Sequence, residues 1–163
     1  MKTLLSVVVE VILALIVLIV FLDPGGSDPI RTRMRRSLPD FGVSIVAVVL
    51  TVAGKSIEVW PGHPEFPSGH MAFTVSLGLG LVARSPRWRA WMLCLWASLG
   101  LFLVLAGYHS VLEVLGGTAL GGVVGVGGHE ILAKLRSRQS PLVGAEEPPR
   151  PRVTRTLPPD TAE

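Results

Sequence analysis

Two histidines, His70 and His109, have neighbours that indicate chemistry. His70 closes residues 64–70 (PEFPSGH) and is followed by an apolar helix predicted over residues 71–83. Pro67 excludes helix directly before it, Ser68 is a good N-cap, and Gly69 lets the backbone approach a ligand closely. Free backbone N–H groups at such a helix start suit an anion such as phosphate. The alternative is an ordinary capped helix start with a surface histidine.

His109 and Glu113 form the second constellation, at positions i and i+4 of a predicted helix. A carboxylate one turn from a histidine can hold one ring nitrogen and aim the other, as in nucleophile–base–orienter arrangements. The same row continues through Gly117, Gly121 and Gly125, whose small size would let another helix approach closely. The alternative is an interfacial histidine beside a glutamate that caps the helix or snorkels.

The segments that must position these residues are apolar and of membrane-spanning length. The chain has 163 residues, 49% of them apolar, and its mean hydropathy is +0.54. We predict an all-α integral membrane helical bundle with about five transmembrane helices. The predicted apolar segments are residues 3–22, 41–54, a helix beginning near Ser68, 90–108 and 111–133, with a polar loop at 23–40. A signal peptide is the competing interpretation of the first segment, which is long for one and lacks an Ala-x-Ala-like site.

Charge predicts the topology. Lys2 and Lys55 fall on one face of a five-span arrangement, and the other 13 of the 15 Lys and Arg residues fall on the opposite face. The positive-inside rule then places the arginine-rich face in the cytoplasm of a multi-pass cell-membrane protein. Both candidate chemical stretches would lie on the extracytoplasmic side. We expect residues 1–136 to form one membrane domain and residues 137–163, which are rich in proline, to form a disordered cytoplasmic tail.

Several other classes of site are not supported. Cys94 is the only cysteine, so no disulfide framework is expected, and no nucleic-acid motif is present. His129, beside Glu130, lies far from the candidate site, and a structural role is favoured. A zinc site can be drawn from His63, His70, His109 and Glu113, but the spacing matches no metal signature, so no metal or cofactor is predicted.

Together the two stretches resemble the type 2 phosphatidic acid phosphatase family, which is related to the vanadium haloperoxidases and bacterial acid phosphatases. The resemblance rests on residues 66–70 (FPSGH) and residues 109–117 (HSVLEVLGG), and extends over about residues 55–128. It implies a membrane-embedded, metal-independent phosphomonoesterase that acts on a lipid or isoprenoid phosphate.

The resemblance also implies residue roles. His109 matches the nucleophile that forms a phosphohistidine, and Glu113 stands where the family usually has Asp to orient it. His70 matches the acid that protonates the leaving alkoxide. The substrate-binding candidates are Lys55, Ser68, Gly69 and His63, the last as a replacement for a missing cation.

The sequence departs from the family at two phosphate-binding arginines, whose positions hold Gly62 and Leu103. The alternative function is therefore a catalytically impaired, phosphatase-like binding or scaffold protein. Homo-oligomerisation through the glycine-rich last helix is a further expectation. A third interpretation, a small carrier subunit that uses Glu10, has no motif behind it.

Overall fold

The computed structural model describes residues 2–22, 28–60, 62–63 and 65–139. These residues form five α-helices and one short 3₁₀ turn, and no strand occurs among them. The all-α membrane bundle predicted from the sequence is confirmed. The helices are α1 (Lys2–Leu22), α2 (Ile30–Ser56), α3 (Gly69–Arg84), α4 (Arg89–Leu105) and α5 (Val111–Gln139), with the 3₁₀ turn at Pro86–Trp88.

Within the part of the chain that the structure describes, three segments are long and apolar enough to cross a membrane: Ile30–Ser56, Pro86–Leu105 and Val111–Arg138. A shorter apolar helix covers Val7–Leu22, and α3 has 16 residues. Many leucines, valines and isoleucines face outward on these helices. Serine and threonine side chains lie inside instead, where Ser44, Thr51 and Ser76 donate hydrogen bonds to the carbonyl four residues earlier. An apolar exterior over a partly polar interior is what a bilayer environment favours.

The start of α2 corrects the sequence prediction. Residues 30–40, predicted as loop, are the first eleven residues of a 27-residue helix that contains Pro39. Proline removes one intrahelical hydrogen bond, but packing compensates on the inward face. Ser37 donates to the Val20 carbonyl at 2.8 Å, and the buried Asp40 pairs with Arg84. Tertiary contacts therefore override the proline and the arginine-rich composition of this segment.

The last helix also extends further than predicted. α5 continues through residues 137–139, which were assigned to the tail. The rest of the predicted tail, residues 140–163, lies outside the described residues, as do residues 23–27 of the predicted first loop.

α3 is the central helix and contacts each of the other four. Its closest neighbour is α5, along the glycine row predicted from the sequence. A Cβ on Gly117 would lie 2.3 Å from the Ser68 carbonyl oxygen, and one on Gly121 would lie 2.6 Å from the Ala72 carbonyl oxygen. Glycine at these positions therefore lets the backbones of α3 and α5 touch. This row is used within one chain, and association between copies stays a prediction.

Candidate active site

A cavity of about 600 Å³ opens at the end of the bundle where α2 ends and α3 begins. The described residues that line it include Lys55, Gly69, His70 and His109, four of the seven predicted site residues. His70 and His109 are 39 positions apart in the sequence, and the centroids of their rings lie 5.9 Å apart. Leu13, Phe73, Glu65, Gly107 and Tyr108 complete the described lining. The cavity therefore combines two imidazoles and an ammonium group with an apolar wall.

The end of α4 places His109 in this cavity. Gly107 adopts φ +75°, a conformation that favours glycine. Its N–H donates to the Val104 carbonyl at 3.0 Å, and the Tyr108 N–H donates to the Leu103 carbonyl at 3.0 Å. This pair of bonds is a Schellman motif, which ends a helix and satisfies its last carbonyls. The chain thus turns sharply and presents the residue after Tyr108 to the cavity.

The Glu113 carboxylate contacts the Nδ1 side of the His109 ring. Its Oε2 lies 3.3 Å from His109 Nδ1, and the two side chains are only 8% and 6% exposed. The same oxygen accepts the Ser110 N–H at 2.9 Å, while the Ser110 hydroxyl accepts the Glu113 N–H at 3.3 Å. This reciprocal pair is a capping box that starts α5. Capping and histidine orientation, which the sequence left as alternatives, are both performed by one carboxylate.

This geometry determines which nitrogen of His109 is available for reaction. Nδ1 faces the Glu113 carboxylate, so Nε2 is the nitrogen left for the cavity. A carboxylate at Nδ1 fixes the tautomer with the proton on that nitrogen and stabilises positive charge on the ring. Nε2 then carries a lone pair, as a nucleophile requires.

The α3 start is fixed against α5 by backbone contact. The Ser68 N–H donates to the Glu113 carbonyl at 2.9 Å. Phe66 covers Gly116 so closely that a Cβ there would lie 2.2 Å from its ring. Gly116 and Gly117 of the second motif therefore leave the space in which Phe66 and Ser68 of the first motif pack. This contact links the two stretches in the structure. The N–H groups of Gly69 and His70 belong to the first helical turn and have no intrahelical partner.

Ser68 occupies the N-cap position of α3, but its side chain makes no capping hydrogen bond. The predicted hydroxyl cap is therefore wrong: contact with Gly117 and the bond to Glu113 hold the residue in another orientation. Its hydroxyl is buried and has no hydrogen-bond partner among the described residues. The residue is fully buried and does not line the cavity, whereas Gly69 does.

Lys55, the predicted phosphate-binding cation, already has a partner. Its Nζ lies 2.5 Å from Glu65 Oε2. The hydrogen bond and charge of Lys55 lower the pKa of the Glu65 carboxyl, so this carboxylate stays ionised near neutral pH. Sequence reasoning missed this residue, because Glu65 reaches Lys55 only through the geometry of the intervening loop. An anion that enters the cavity must share Lys55 with this carboxylate or displace it.

His63 lies beside Glu113 and does not line the cavity. Its Nδ1 is 3.6 Å from Glu113 Oε1, whereas His109 lies next to the other oxygen, Oε2. Gly62 and Leu103, which stand where the family has arginine, each fill a structural role. Gly62 adopts φ +83° in the loop, and Leu103 is fully buried in an apolar cluster with Met71 and Leu99. Within the described part of the chain, no arginine lines this cavity.

The described residues contain no group of three His, Cys, Asp or Glu side chains arranged to hold a metal ion. Glu10, the residue behind the carrier interpretation, is exposed on α1, one turn from the cavity-lining Leu13.

Comparison with known proteins agrees with the two motifs. The chain matches the PAP2 superfamily over residues 12–137, about three quarters of its length. No curated protein and no solved structure gives a significant match. The matched range contains the histidine motifs, the glycine row and all five helices, apart from the first ten residues of α1 and the last two of α5. The chain therefore belongs to the PAP2 superfamily, as its two histidine motifs indicate.

Proposed function

We propose that this protein is a phosphomonoesterase that acts on a lipid or isoprenoid phosphate at the extracytoplasmic face, through a phosphohistidine at His109. The observation that carries the proposal is the meeting of His70 and His109, 5.9 Å apart, in one cavity with Lys55. Membership of the PAP2 superfamily supports a phosphatase in general. The lipid substrate, the membrane face and the covalent intermediate are the finer parts of the proposal.

The chemistry follows from the placement of the two rings. His109 Nε2 attacks phosphorus, a P–N bond forms, and the bond from phosphorus to the alkyl oxygen breaks. His70 gives its proton to the departing alkoxide, which leaves as the alcohol. A water molecule then attacks the phosphohistidine while His70 takes a proton from it, and inorganic phosphate leaves with His109 restored. Glu113 stabilises the positive charge that the imidazole of His109 gains during attack.

Charge stabilisation at the phosphoryl oxygens comes from the groups around the cavity. Lys55 supplies a full positive charge, and the first-turn N–H groups of α3 supply directed dipoles. Such preorganised donors are the largest catalytic contribution in phosphoryl transfer. Leu13 and Phe73 add an apolar wall beside these groups. An apolar wall at the end of a membrane bundle favours a substrate whose phosphate is attached to a hydrocarbon chain.

The test is phosphate release by the purified full-length protein in detergent or vesicles. Phosphatidic acid, an isoprenyl phosphate and a soluble sugar phosphate would be compared as substrates. We expect release from the first two, little from the third, and loss in His109→Ala and His70→Ala. Equal release by the wild type and both variants would refute the proposal.

One observation favours the second candidate, a binding or scaffold protein without turnover. Lys55 is the only Lys or Arg among the described cavity-lining residues, and it is already paired with Glu65. Removing one positioned donor costs about two to three orders of magnitude in rate. This candidate predicts lipid-phosphate binding with no phosphate release above the His109→Ala background. Release above that background would exclude it.

A further inference from the structure

A second cavity lies at the opposite end of the bundle and is lined by arginines. Its volume is about 720 Å³. Helices α2, α3 and α5 all contribute to it. We call it the arginine cavity; its lining residues are Thr32, Arg35, Arg36, Arg84 and Arg136. Nothing in the proposed phosphatase chemistry uses these residues.

Positive charge in the arginine cavity exceeds the negative charge that faces it. Arg36 pairs with Asp28 at 2.5 Å, and Arg84 pairs with Asp40. Within the described part of the chain, Arg35 and Arg136 make no salt bridge, and the charge of Arg136 acts on the Asp40 carboxylate that Arg84 already holds. Guanidinium groups from three helices that share one space repel one another, and a bound anion would offset that repulsion. Guanidinium also matches a phosphate group in shape, since it offers paired N–H donors.

The arginine cavity lies at the depth expected for a lipid headgroup. Thr32 and Lys55 are 23 residues apart on α2, about 35 Å along that helix, and His70 and Arg84 are 14 residues apart on α3, about 21 Å. The hydrocarbon core of a bilayer is about 30 Å thick. One cavity therefore lies at each membrane interface when the bundle spans a bilayer.

Exposed apolar side chains stand next to the arginine cavity. Leu38 is 59% exposed and lies one turn from Arg35 on α2, and Leu135 is 50% exposed beside Arg136 on α5. Met34 is 43% exposed on the same part of α2. A group that places a phosphate among the arginines would lay its hydrocarbon chains along these residues. A free phosphate ion would make no use of them.

We propose that the arginine cavity binds the phosphate headgroup of an anionic phospholipid from the leaflet opposite the histidine cavity. Basic pockets between transmembrane helices bind such headgroups through charge and paired hydrogen bonds. The proposal does not depend on the phosphatase function, because it concerns other residues at the other end of the bundle.

The test is lipid selection by the full-length protein. Protein purified in detergent would be mixed with equal amounts of phosphatidylglycerol and phosphatidylcholine, and the retained lipids counted by native mass spectrometry. We expect the wild type to retain phosphatidylglycerol preferentially. The double variant Arg35→Gln/Arg136→Gln should lower that preference roughly tenfold or more. Arg35→Lys/Arg136→Lys, which keeps the charge, should retain most of it.

The matched control is Arg31→Gln/Arg138→Gln. This variant removes the same charge from the same ends of α2 and α5 but leaves the lining of the arginine cavity intact. We expect it to keep the wild-type preference. Equal loss in both glutamine variants would overturn the proposal, because a diffuse surface potential would then explain the binding.

Two further outcomes would also overturn it. If inorganic phosphate at the same concentration as the lipid abolishes the preference for phosphatidylglycerol, the apolar side chains add nothing and the cavity binds a free anion and not a lipid. If the preference appears only in Glu146→Gln/Glu147→Gln, carboxylates of the C-terminal segment are the occupant. Retention of the preference in phosphate and in this variant supports the lipid.

Discussion

His109–Glu113 and His129–Asp40 are two histidine–carboxylate pairs near opposite ends of α5. Their Nδ1-to-oxygen distances are similar, 3.3 Å and 3.6 Å, but their surroundings differ. The Glu113 carboxylate accepts a backbone N–H and lies near two imidazoles. The Asp40 carboxylate is instead held by the Arg84 guanidinium. His109 lines the cavity that also holds His70 and Lys55. His129 borders a separate cavity of about 380 Å³, but its Nε2 is buried without a hydrogen-bond partner among the described residues.

This difference leads us to propose that a histidine–carboxylate pair is not by itself sufficient for a reactive site. A guanidinium bound to the carboxylate offsets the charge that would otherwise stabilise an imidazolium. The Nε2 of His129 is also buried, so this nitrogen is not presented to a substrate. We therefore interpret the Asp40 pair as a structural link between α2, α3 and α5, and the Glu113 pair as the reactive one.

The largest expected effect separates the two histidines. His109→Ala should lower phosphate release by at least about three orders of magnitude, because the nucleophile is lost. His129→Ala should leave the rate per folded molecule within a few-fold of the wild type and lower the melting temperature. Steady-state assays with thermal unfolding check both. Similar loss of activity in the two variants would contradict the distinction.

The carboxylates provide the next contrast. Glu113→Gln keeps an oxygen that can accept the Ser110 N–H, so α5 should stay capped. It removes the charge behind His109, and we expect kcat to fall by roughly two to three orders of magnitude.

Asp40→Asn should do the opposite. It leaves Arg84 without its counter-ion in a partly buried position, which should lower the free energy of unfolding by about 3 kcal/mol. Its kcat should stay close to that of the wild type. A stability loss from Glu113→Gln as large as that from Asp40→Asn would show that Glu113 acts mainly as a structural residue.

Glycines on α5 give a third contrast. Gly117→Ala would place Cβ 2.3 Å from the Ser68 carbonyl oxygen, so the α3 start must shift relative to α5. A displacement of about 1 Å at a reactive centre can cost about 10²-fold in rate. Gly122→Ala is the matched control, since a Cβ there would have no atom within 4 Å among its described neighbours. An unchanged rate in Gly117→Ala would mean that this contact does not position the site.

Gly128 extends that contrast to the other end of α5. A Cβ there would meet the side chain of Val43, at 2.7 Å. Gly128→Ala should therefore lower the melting temperature while the rate per folded molecule is retained.

The smallest expected effect concerns Glu65. Glu65→Gln frees Lys55 for substrate, so we expect KM to fall a few-fold with little change in kcat. Because Lys55 lowers the Glu65 pKa, the pair persists above the ordinary glutamate range and is lost only as the pH falls through that lowered pKa. The wild type and Glu65→Gln should therefore differ most at neutral pH and converge in acid. A higher KM in Glu65→Gln would indicate that the carboxylate assists binding.

Much of the site could be predicted because its parts are local in sequence. The pair at positions 109 and 113 follows from helix periodicity, and the row of glycines marks the face that α3 approaches. Proline and glycine likewise mark the turn before α3. These features depend on neighbours within one or two turns, which the sequence displays directly.

Other features depend on contacts that periodicity does not encode. The first eleven residues of α2 are helical because Ser37 and Asp40 find partners on α1 and α3. Glu65 reaches Lys55 through a loop, and the arginine cavity forms from three separate helices. In each case a distant partner outweighs local propensity, so the sequence alone favoured a different or simpler interpretation.

The most direct test of the central claim is to trap the covalent intermediate. Wild-type protein would be mixed with a lipid phosphate, denatured rapidly in alkali to preserve P–N bonds, and mapped by peptide mass spectrometry. We expect phosphate on His109, none on His129, and none in His109→Ala. Release of inorganic phosphate with no phosphorylated His109, or phosphate on another histidine, would contradict the claim.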